Sequence, residues 1–387
     1  MIAVTATTLF TPLERIDQPL VFLEHGSIVE VTTRAHREIP AGWRVVDFGD
    51  GVLVPGLIDI HIHGGAGHDV MEQAPDALPS VERLLAAHGV SSYFPTTVTA
   101  PLEATLTALQ RLADAIERAE RDQPAGELRA RPLGIHLEGP FLSHSKRGVH
   151  PPEDLIAPDP AIFEKFWQAA RGKIRLLTIA PELPGALQVI EQAASRGVCV
   201  SVGHSDADLE STRAAVAAGA RHATHTFNAM RPLGHRDPGI LGEVLTDSRV
   251  SADIIADGIH VDPAVVQLFL KAKGPEAAVL ITDANAATGM PDGRYHLGPF
   301  EFDVHEGRCL ANGVLAGSVL TMDRAIRNVM KFAAWDLQQT VRLATLNPAR
   351  VTGMATVGEL RAGVPADLVV LSPQGEVRKT IIRGAGM

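Results

Sequence analysis

The chain has 387 residues, of which 45% are hydrophobic and 21% are charged. This composition, with 35 glycines and 26 prolines, is typical of a soluble globular enzyme with many loops and excludes a disordered or fibrous chain. The formal net charge is −10, and no basic run is interleaved with aromatic residues. Neither nucleic acid nor an anionic membrane is therefore an expected partner.

The chain contains only two cysteines, Cys199 and Cys309, so we expect no disulfide framework. It has no segment with the pattern of a secretory leader, and no apolar run approaches the ~20 residues that a membrane span needs. The expected location is the cytoplasm.

The two ends of the chain have the same pattern of short apolar runs separated by turn residues. Such runs are typical of β-strands in a small all-β unit. Residues 1–54 and 356–387 are therefore predicted to form one small β-sandwich domain together.

Residues 55–355 have a different pattern, in which apolar β-branched runs alternate with segments of helical period. Eight such runs predict an α/β fold, specifically a TIM-like (β/α)₈ barrel. The alternative is an open doubly wound sheet, but no glycine-rich dinucleotide motif follows the first run. The predicted barrel strands span 57–63, 90–98, 133–138, 174–180, 198–204, 222–227, 250–255 and 278–283.

The first predicted barrel strand carries two histidines, in the sequence PGLIDIHIHGG at 55–65. Because side chains alternate across a strand, Asp59, His61 and His63 share one face and three isoleucines share the other. Two imidazoles aimed at one point predict a site for a divalent metal. The alternative is a pair of core histidines that hydrogen-bond to their neighbours.

Four more metal-competent or acidic side chains end predicted strands: Glu138, His204, His225 and Asp283. Active sites of barrels lie at the carboxyl ends of the strands, so these groups are predicted to converge with His61 and His63. A carboxylate such as Glu138, placed among apolar residues, is costly unless a cation neutralises it. His136 lies deeper in the same strand and is interpreted as a packing or supporting histidine.

This ligand set suits zinc, iron, manganese or cobalt, any of which can lower the pKa of a water molecule. A nearby carboxylate can then take up the proton and pass it to a leaving amine. Asp283, in LITDANAATG, is the candidate for this general base, and the alternative is a turn or helix-capping aspartate.

Several motifs resemble the amidohydrolase superfamily and, within it, the family of N-acetylglucosamine-6-phosphate deacetylases, over nearly the whole chain. HLEGPF, HTFNAM and RDPG are specific to the sugar phosphate deacetylases, whereas HxH indicates only the superfamily. The resemblance implies that Glu138, His204 and His225 bind the principal metal and that Asp283 is the general acid/base. Because His61 and His63 are both present, one or two ions per subunit are expected, and no lysine at a strand end replaces Glu138 as the bridge.

The resemblance also implies a set of substrate contacts. Arg236 would bind the phosphate from the neighbouring subunit of a homodimer, since a guanidinium matches phosphate bidentately. The alternatives are a solvated loop arginine for Arg236 and a loop histidine without function for His260, while Arg231 and His235 have no assigned role. The residues implied to contact the sugar and its substituents are His150, Asn228, Ala229, His260, Leu315, Ala316 and Gly317.

The expected activity is hydrolysis of the acetamide of N-acetylglucosamine 6-phosphate to glucosamine 6-phosphate and acetate, in amino-sugar catabolism or recycling. The alternatives within the enzyme class are a deacetylase of N-acetylgalactosamine 6-phosphate and a cyclic-amide hydrolase. The absence of a lysine ligand and the presence of RDPG disfavour the cyclic-amide hydrolase. A non-catalytic scaffold is disfavoured because every expected ligand and Asp283 are present.

Overall fold

A computed structural model describes residues 1–11, 13–121 and 127–387. The strands are β1 (Ile2–Thr5), β2 (Thr8–Phe10), β3 (Arg15–Asp17), β4 (Pro19–Glu24), β5 (Ser27–Thr33), β6 (Arg44–Asp47), β7 (Val52–Pro55), β8 (Leu57–Ile62), β9 (Gly64–Gly65), β10 (His68–Asp69), β11 (Val90–Thr97), β12 (Arg131–Pro132), β13 (Ile135–Glu138), β14 (Ile174–Ile179), β15 (Cys199–Val202), β16 (His222–Ala223), β17 (Ala252–Ile255), β18 (Ala278–Ile281), β19 (Gly293–Leu297), β20 (Phe300–His305), β21 (Arg308–Ala311), β22 (Val314–Leu315), β23 (Leu368–Leu371) and β24 (Val377–Ile381).

The helices are α1 (Ala77–Ala87), α2 (Leu102–Arg121), α3 (Pro160–Ala169), α4 (Ala186–Ser195), α5 (Leu209–Ala218), α6 (Gly239–Thr246), α7 (Pro263–Ala277), α8 (Met322–Ala333), α9 (Leu337–Arg342) and α10 (Leu346–Val351), with 3₁₀ turns at His144–Lys146 and Pro152–Asp154. No helix among the described residues is both long enough and apolar enough to cross a membrane.

Strands from the two ends of the chain pair in one five-stranded sheet of order β24-β23-β7-β2-β3, beside a four-stranded sheet of order β5-β4-β1-β6. The period-2 pattern explains how this sheet is buried on both faces. Val52 and Val54 of β7 pack into the barrel core, whereas Leu53 between them packs into a second core with Val4 and Val370. The predicted small β-domain built from both termini is confirmed, while its boundaries at residues 54/55 and 355/356 stay predictions.

Eight parallel strands form the barrel: β8, β11, β13, β14, β15, β16, β17 and β18. Two seams without a regular ladder are closed by a few backbone hydrogen bonds each. The Ala223 amide donates to the Ser251 carbonyl at 3.0 Å, and the Asp283 amide donates to the His61 carbonyl at 2.9 Å. The predicted barrel, with all eight strands in the predicted order, is confirmed.

Several strands end earlier than the sequence predicts, on the side of the barrel where the candidate site lies. The predicted strand 198–204 stops at Val202, and the predicted strand 222–227 stops at Ala223. The reason is the backbone, because His204 and His225 have φ values of 47° and 31°, in the left-handed region that no strand contains.

A four-stranded antiparallel sheet, β19–β22, lies between β18 and α8, where the sequence analysis predicts no strands. Its second strand alternates in burial, with Phe302 and Val304 facing inward and charged residues facing outward. These side chains form a small separate core with Leu297 and Cys309. This sheet covers one side of the barrel mouth, and Leu297 and Leu315 line the cavity beneath it.

Candidate metal centre and active site

Four histidines converge on the Glu138 carboxylate at the carboxyl ends of the barrel strands. Glu138 Oε2 lies 3.4 Å from His61 Nε2 and 3.2 Å from His63 Nε2. Glu138 Oε1 lies 3.3 Å from His204 Nε2 and 3.2 Å from His225 Nε2. Glu138 therefore stands between two histidine pairs, and each pair together with Glu138 forms a compact buried group of potential metal ligands.

The hydrogen bonds on the far side of two rings determine which nitrogen faces Glu138. His63 Nδ1 lies 3.0 Å from the Thr96 carbonyl, and His204 Nδ1 lies 2.8 Å from the Lys146 carbonyl. A carbonyl oxygen only accepts, so each Nδ1 carries hydrogen and Nε2 is the atom of each ring that faces the centre and is able to bind a metal.

The two nitrogens of each pair are close enough to need a positive centre between them. His61 Nε2 and His63 Nε2 are 3.2 Å apart, and His204 Nε2 and His225 Nε2 are 3.0 Å apart. Glu138 Oε1 is buried and has no hydrogen-bond partner among the described residues. Two lone pairs and a carboxylate oxygen that converge in this way fit a divalent metal.

Without a metal, protons have to satisfy the same contacts. Burial works against charge on His63, but hydrogen bonds with Asp283 and Glu138 raise its pKa well above the ordinary value. Burial also opposes ionisation of Glu138, yet the charge of His61 and the contacts with His204 and His225 hold its pKa well below the ordinary value. The protons and a metal therefore compete for the same nitrogen atoms.

Asp283 lies beside the pair formed by His61 and His63. Its Oδ1 is 3.2 Å from His63 Nε2 and 3.5 Å from His61 Nε2. Burial raises the pKa of Asp283, but the charge of His61 and the hydrogen bond with His63 outweigh burial and lower it to about 2. The carboxylate is thus ionised at neutral pH and is able to accept a proton.

A cavity of about 640 Å³ opens above this centre. Glu138, His63, His204, His225 and Asp283 form its floor. Most of the side chains predicted to contact substrate lie in its wall: His150, Asn228, Ala229, His260, Leu315 and Gly317.

Two predicted substrate residues have other surroundings. Ala316 is buried, and its carbonyl accepts a hydrogen bond of 2.7 Å from Asn285 Nδ2 instead of facing the cavity. Arg236 is exposed on the loop before α6 and is not part of the cavity wall of its own chain. Its neighbour Arg231 forms an ion pair of 2.6 Å with Asp237 in the same loop.

His150 is held as a neutral ring against the centre. Its Nδ1 lies 2.8 Å from Thr99 Oγ1, and its Nε2 lies 3.8 Å from Glu138 Oε2. Burial, followed by the charge of His204, lowers the pKa of His150 well below the ordinary value. A neutral imidazole can donate or accept a hydrogen bond to a sugar without adding charge.

His136 lies next to the ligand groups but belongs to neither of them. Its Nε2 lies 2.8 Å from Thr178 Oγ1, and its ring packs edge-to-face on His61 with the centroids 4.5 Å apart. Burial lowers the pKa of His136 well below the ordinary value, so the ring is neutral. It supports His61, as expected of a packing histidine.

The sequence analysis missed two cations in the wall of the cavity, Lys146 and Arg147. They come from the KRGVH loop, which also supplies His150. Lys146 Nζ lies 3.5 Å from Asp206 Oδ1, whereas Arg147 has no ion pair with any other described residue. The signal was the basic dipeptide at 146–147, in the loop that follows HLEGPF, where a barrel loop has to cross the site.

Residues 52–386 match the amidohydrolase family. The chain is 41% identical over 335 residues to the N-acetylgalactosamine-6-phosphate deacetylase of Escherichia coli O157:H7, covering 86% of this chain and 87% of that protein. It is 36% identical over 377 residues to the N-acetylglucosamine-6-phosphate deacetylase of Bacillus subtilis strain 168, covering 97% and 94%.

The chain belongs to the amidohydrolase family. It is also similar to a solved mutant of N-acetyl-D-glucosamine-6-phosphate deacetylase from Mycobacterium smegmatis in complex with N-acetyl-D-glucosamine-6-phosphate. That likeness has a TM-score of 0.91 and 37% identity, and it covers 99% of this chain and 98% of the other. Membership of the amidohydrolase family agrees with the position of the two ligand groups at the carboxyl ends of the barrel strands.

Proposed function

We propose that the chain hydrolyses the acetamide of N-acetyl-D-glucosamine 6-phosphate to D-glucosamine 6-phosphate and acetate. The observation that carries the proposal is the position of the Asp283 carboxylate. It lies 3.2 Å from a candidate ligand histidine, in the floor of a cavity that Glu138, His63, His204 and His225 also line. The likeness to a deacetylase solved with this sugar phosphate supports the substrate.

The proposed metal ligands are His61, His63, Glu138, His204 and His225. One carboxylate oxygen of Glu138 is directed to each histidine pair, so Glu138 would take part in holding one ion or two. A divalent ion (zinc, iron, manganese or cobalt) would supply Lewis acidity that polarises the acetamide carbonyl and lowers the pKa of a water molecule.

Asp283 is the proposed general base and acid. Its ionised carboxylate accepts a proton from the attacking water as the new C–O bond forms. The same carboxyl group then donates that proton to the amine nitrogen as the C–N bond breaks, which releases glucosamine 6-phosphate and acetate. A pKa lowered to about 2 leaves Asp283 ionised at neutral pH, so its carboxylate begins the reaction without a proton.

The wall of the cavity is proposed to bind the sugar. His150, Asn228 and His260 present polar atoms, and Leu315 and Gly317 approach from the β19–β22 sheet and the residues that follow it. For the phosphate, we propose that Arg236 reaches across from the neighbouring subunit of a homodimer. Lys146 and Arg147 already give the cavity of a single chain positive charge.

The second candidate substrate is N-acetylgalactosamine 6-phosphate, because the Escherichia coli relative with that name is 41% identical. The two sugars differ in the configuration of one hydroxyl group. Both reactions use the same acetamide, metal and base, so the centre alone does not separate them.

The test is acetate release by the purified protein from both sugar phosphates and from unphosphorylated N-acetylglucosamine. The assay is repeated after chelation and after each of zinc, iron, manganese and cobalt is restored. Turnover that is lost on chelation, is restored by a metal and prefers N-acetylglucosamine 6-phosphate supports the proposal. A preference for the galactose epimer moves the substrate to the second candidate, and no turnover with any metal contradicts both.

A further inference from the structure

The four histidines of the centre fall into two classes according to their Nδ1 atoms. His63 and His204 are oriented by backbone carbonyls that accept from Nδ1. His61 Nδ1 and His225 Nδ1 are buried and have no hydrogen-bond partner among the described residues. The orientation of His61 and His225 therefore depends on their backbone and on packing.

His61 has a regular strand backbone and a second ring packed against it. His225 also has a neighbouring ring, that of His204 with the centroids 4.7 Å apart, but it has no strand backbone, because it lies two residues beyond β16 with φ of 31°. A residue other than glycine keeps such a backbone only when its surroundings determine it. The contacts that hold the His225 backbone are therefore decisive for where its Nε2 points.

Asp253 of β17 supplies those contacts. Its side chain is completely buried, and Oδ1 accepts the His225 amide while the Asp253 carbonyl accepts the Thr226 amide at 2.9 Å. The second carboxylate oxygen, Oδ2, lies 2.9 Å from His222 Nε2, and His222 Nδ1 lies 2.8 Å from Ser251 Oγ. Both oxygens of the buried carboxylate are satisfied, so its direction is fixed.

We propose that Asp253 is a positioning residue for the metal centre and that His222 orients its carboxylate. In this arrangement Asp253 holds the left-handed turn at His225 and so aims His225 Nε2 at Glu138. The inference rests on the proposed metal-dependent function, but it concerns metal affinity and not the identity of the substrate.

The experiment measures Zn²⁺ affinity of the metal-free protein by competition with a chromophoric chelator. Asp253→Ala removes the acceptor for the His225 amide and is expected to weaken Zn²⁺ binding by about 10- to 100-fold. Asp253→Asn keeps one acceptor oxygen, and its amide can donate to His222 once that ring changes tautomer. We expect this variant to recover most of the affinity.

Two further variants separate positioning from general destabilisation. Ser201→Ala removes a buried hydroxyl that bonds Thr224 and not Asp253, so it is the matched control and should leave Zn²⁺ affinity unchanged. His225→Ala removes the proposed ligand itself and should therefore give the largest loss of Zn²⁺ affinity in the series. Thermal midpoints of the metal-free variants show whether lost affinity merely follows lost stability.

If Asp253→Ala fails to fold, the His222 variants decide the question. His222→Gln keeps a donor toward Asp253 and should bind Zn²⁺ like the wild type, whereas His222→Leu removes it and should bind more weakly. Wild-type affinity in Asp253→Ala, or in His222→Leu where Asp253→Ala does not fold, overturns the inference. If Zn²⁺ affinity falls as expected but no sugar phosphate is turned over by the wild type, the positioning role stands and the proposed function fails.

Discussion

His61 and His63 come from one strand and are two residues apart, whereas His204 and His225 follow two neighbouring strands and are 21 residues apart. The first pair shares a face because of the period of an extended chain. The second pair meets only because two strand ends are adjacent in the barrel and both turn through left-handed backbone. One half of the centre is thus local in origin, and the other is created by tertiary contacts.

The two halves of the centre also differ in how strongly a buried carboxylate holds the histidine backbone. Asp59 and Asp253 are both completely buried, and each accepts the amide of a histidine of the centre. For His61 that contact is long, at 3.3 Å, and the carboxylate is directed mainly to Thr282 Oγ1 at 2.5 Å. A strand needs little help to orient its side chains, but a strained turn does.

The largest effect is expected at Asp283, which is the proposed general base and is no part of either ligand group. Asp283→Asn keeps the size of the side chain but cannot accept a proton, so kcat should fall by about 10²- to 10⁴-fold. Metal content per chain should stay at the wild-type value, as measured by elemental analysis.

Asp262→Asn is the matched control, because asparagine also caps helices and Asp262 lies outside the cavity. Near wild-type turnover by Asp283→Asn would defeat its assignment as the general base. Loss of metal from the same variant would instead make Asp283 a ligand.

The two halves can be compared directly by truncating one ligand in each. His225→Ala is expected to lower both metal content and turnover more than His63→Ala, because His225 belongs to the group proposed to bind the principal metal. The measurement is Zn²⁺ stoichiometry together with kcat of the reconstituted variants. Equal losses in both variants would contradict this ranking and indicate that the two halves act as one site.

A smaller effect is expected from the cations around the cavity. Arg147→Ala or Arg236→Ala removes a charge-assisted contact worth about 1.5–3 kcal/mol, or about 10- to 100-fold in kcat/KM for the phosphorylated sugar. The unphosphorylated sugar is the internal control and should be unaffected. An equal loss with both sugars would show that the arginine stabilises the loop and does not bind the phosphate.

Mixing two impaired variants tests whether Arg236 acts in the site of its own subunit or in that of the neighbouring subunit. In a heterodimer of Asp283→Asn and Arg236→Ala subunits, one site keeps its own Asp283 and receives Arg236 from the other subunit. Activity above that of either parent is therefore expected after dissociation and reassociation. No recovery in a verified heterodimer would place Arg236 outside the neighbouring site.

The smallest effect is expected on the pH dependence of stability. It arises from Glu82, a buried carboxylate outside both halves of the metal centre. Glu138 is kept ionised by its histidines, whereas burial raises the pKa of Glu82 to about 7 and the nearby Arg129, 3.7 Å away, only partly offsets this. The folded protein then binds a proton that the unfolded chain releases above its ordinary pKa of 4.5. The free energy of unfolding should therefore fall as the pH rises from about 4.5 to 7, by up to about 3 kcal/mol.

Glu82→Gln removes this titration and should flatten that part of the stability profile, as measured by urea unfolding at several pH values. Glu191→Gln, on an exposed carboxylate of α4, is the matched control and should leave the profile unchanged. An unchanged slope in Glu82→Gln would show that another group is responsible.

Much of the fold follows from local patterns, and those parts were predictable. Apolar β-branched runs that alternate with helical segments identify eight barrel strands, and the polar residues that end five of these runs mark the mouth of the barrel. The β19–β22 sheet was not predicted, because its strands are short and charged on the outward face. Only the alternation of Phe302 and Val304 with acidic residues indicates a strand there.

The candidate site, like the fold, has a part that the sequence predicts and a part that it does not. The sequence by itself determined which residue types end each strand, and therefore that His61, His63, Glu138, His204, His225 and Asp283 face one mouth. Only the tertiary structure decided that Glu138 separates two histidine pairs, that Lys146 and Arg147 line the cavity, and that Asp253 accepts the His225 amide. The physical reason is that strand period acts between near neighbours in the chain, whereas left-handed turns, buried carboxylates and loop crossings depend on strands brought together by the closed barrel.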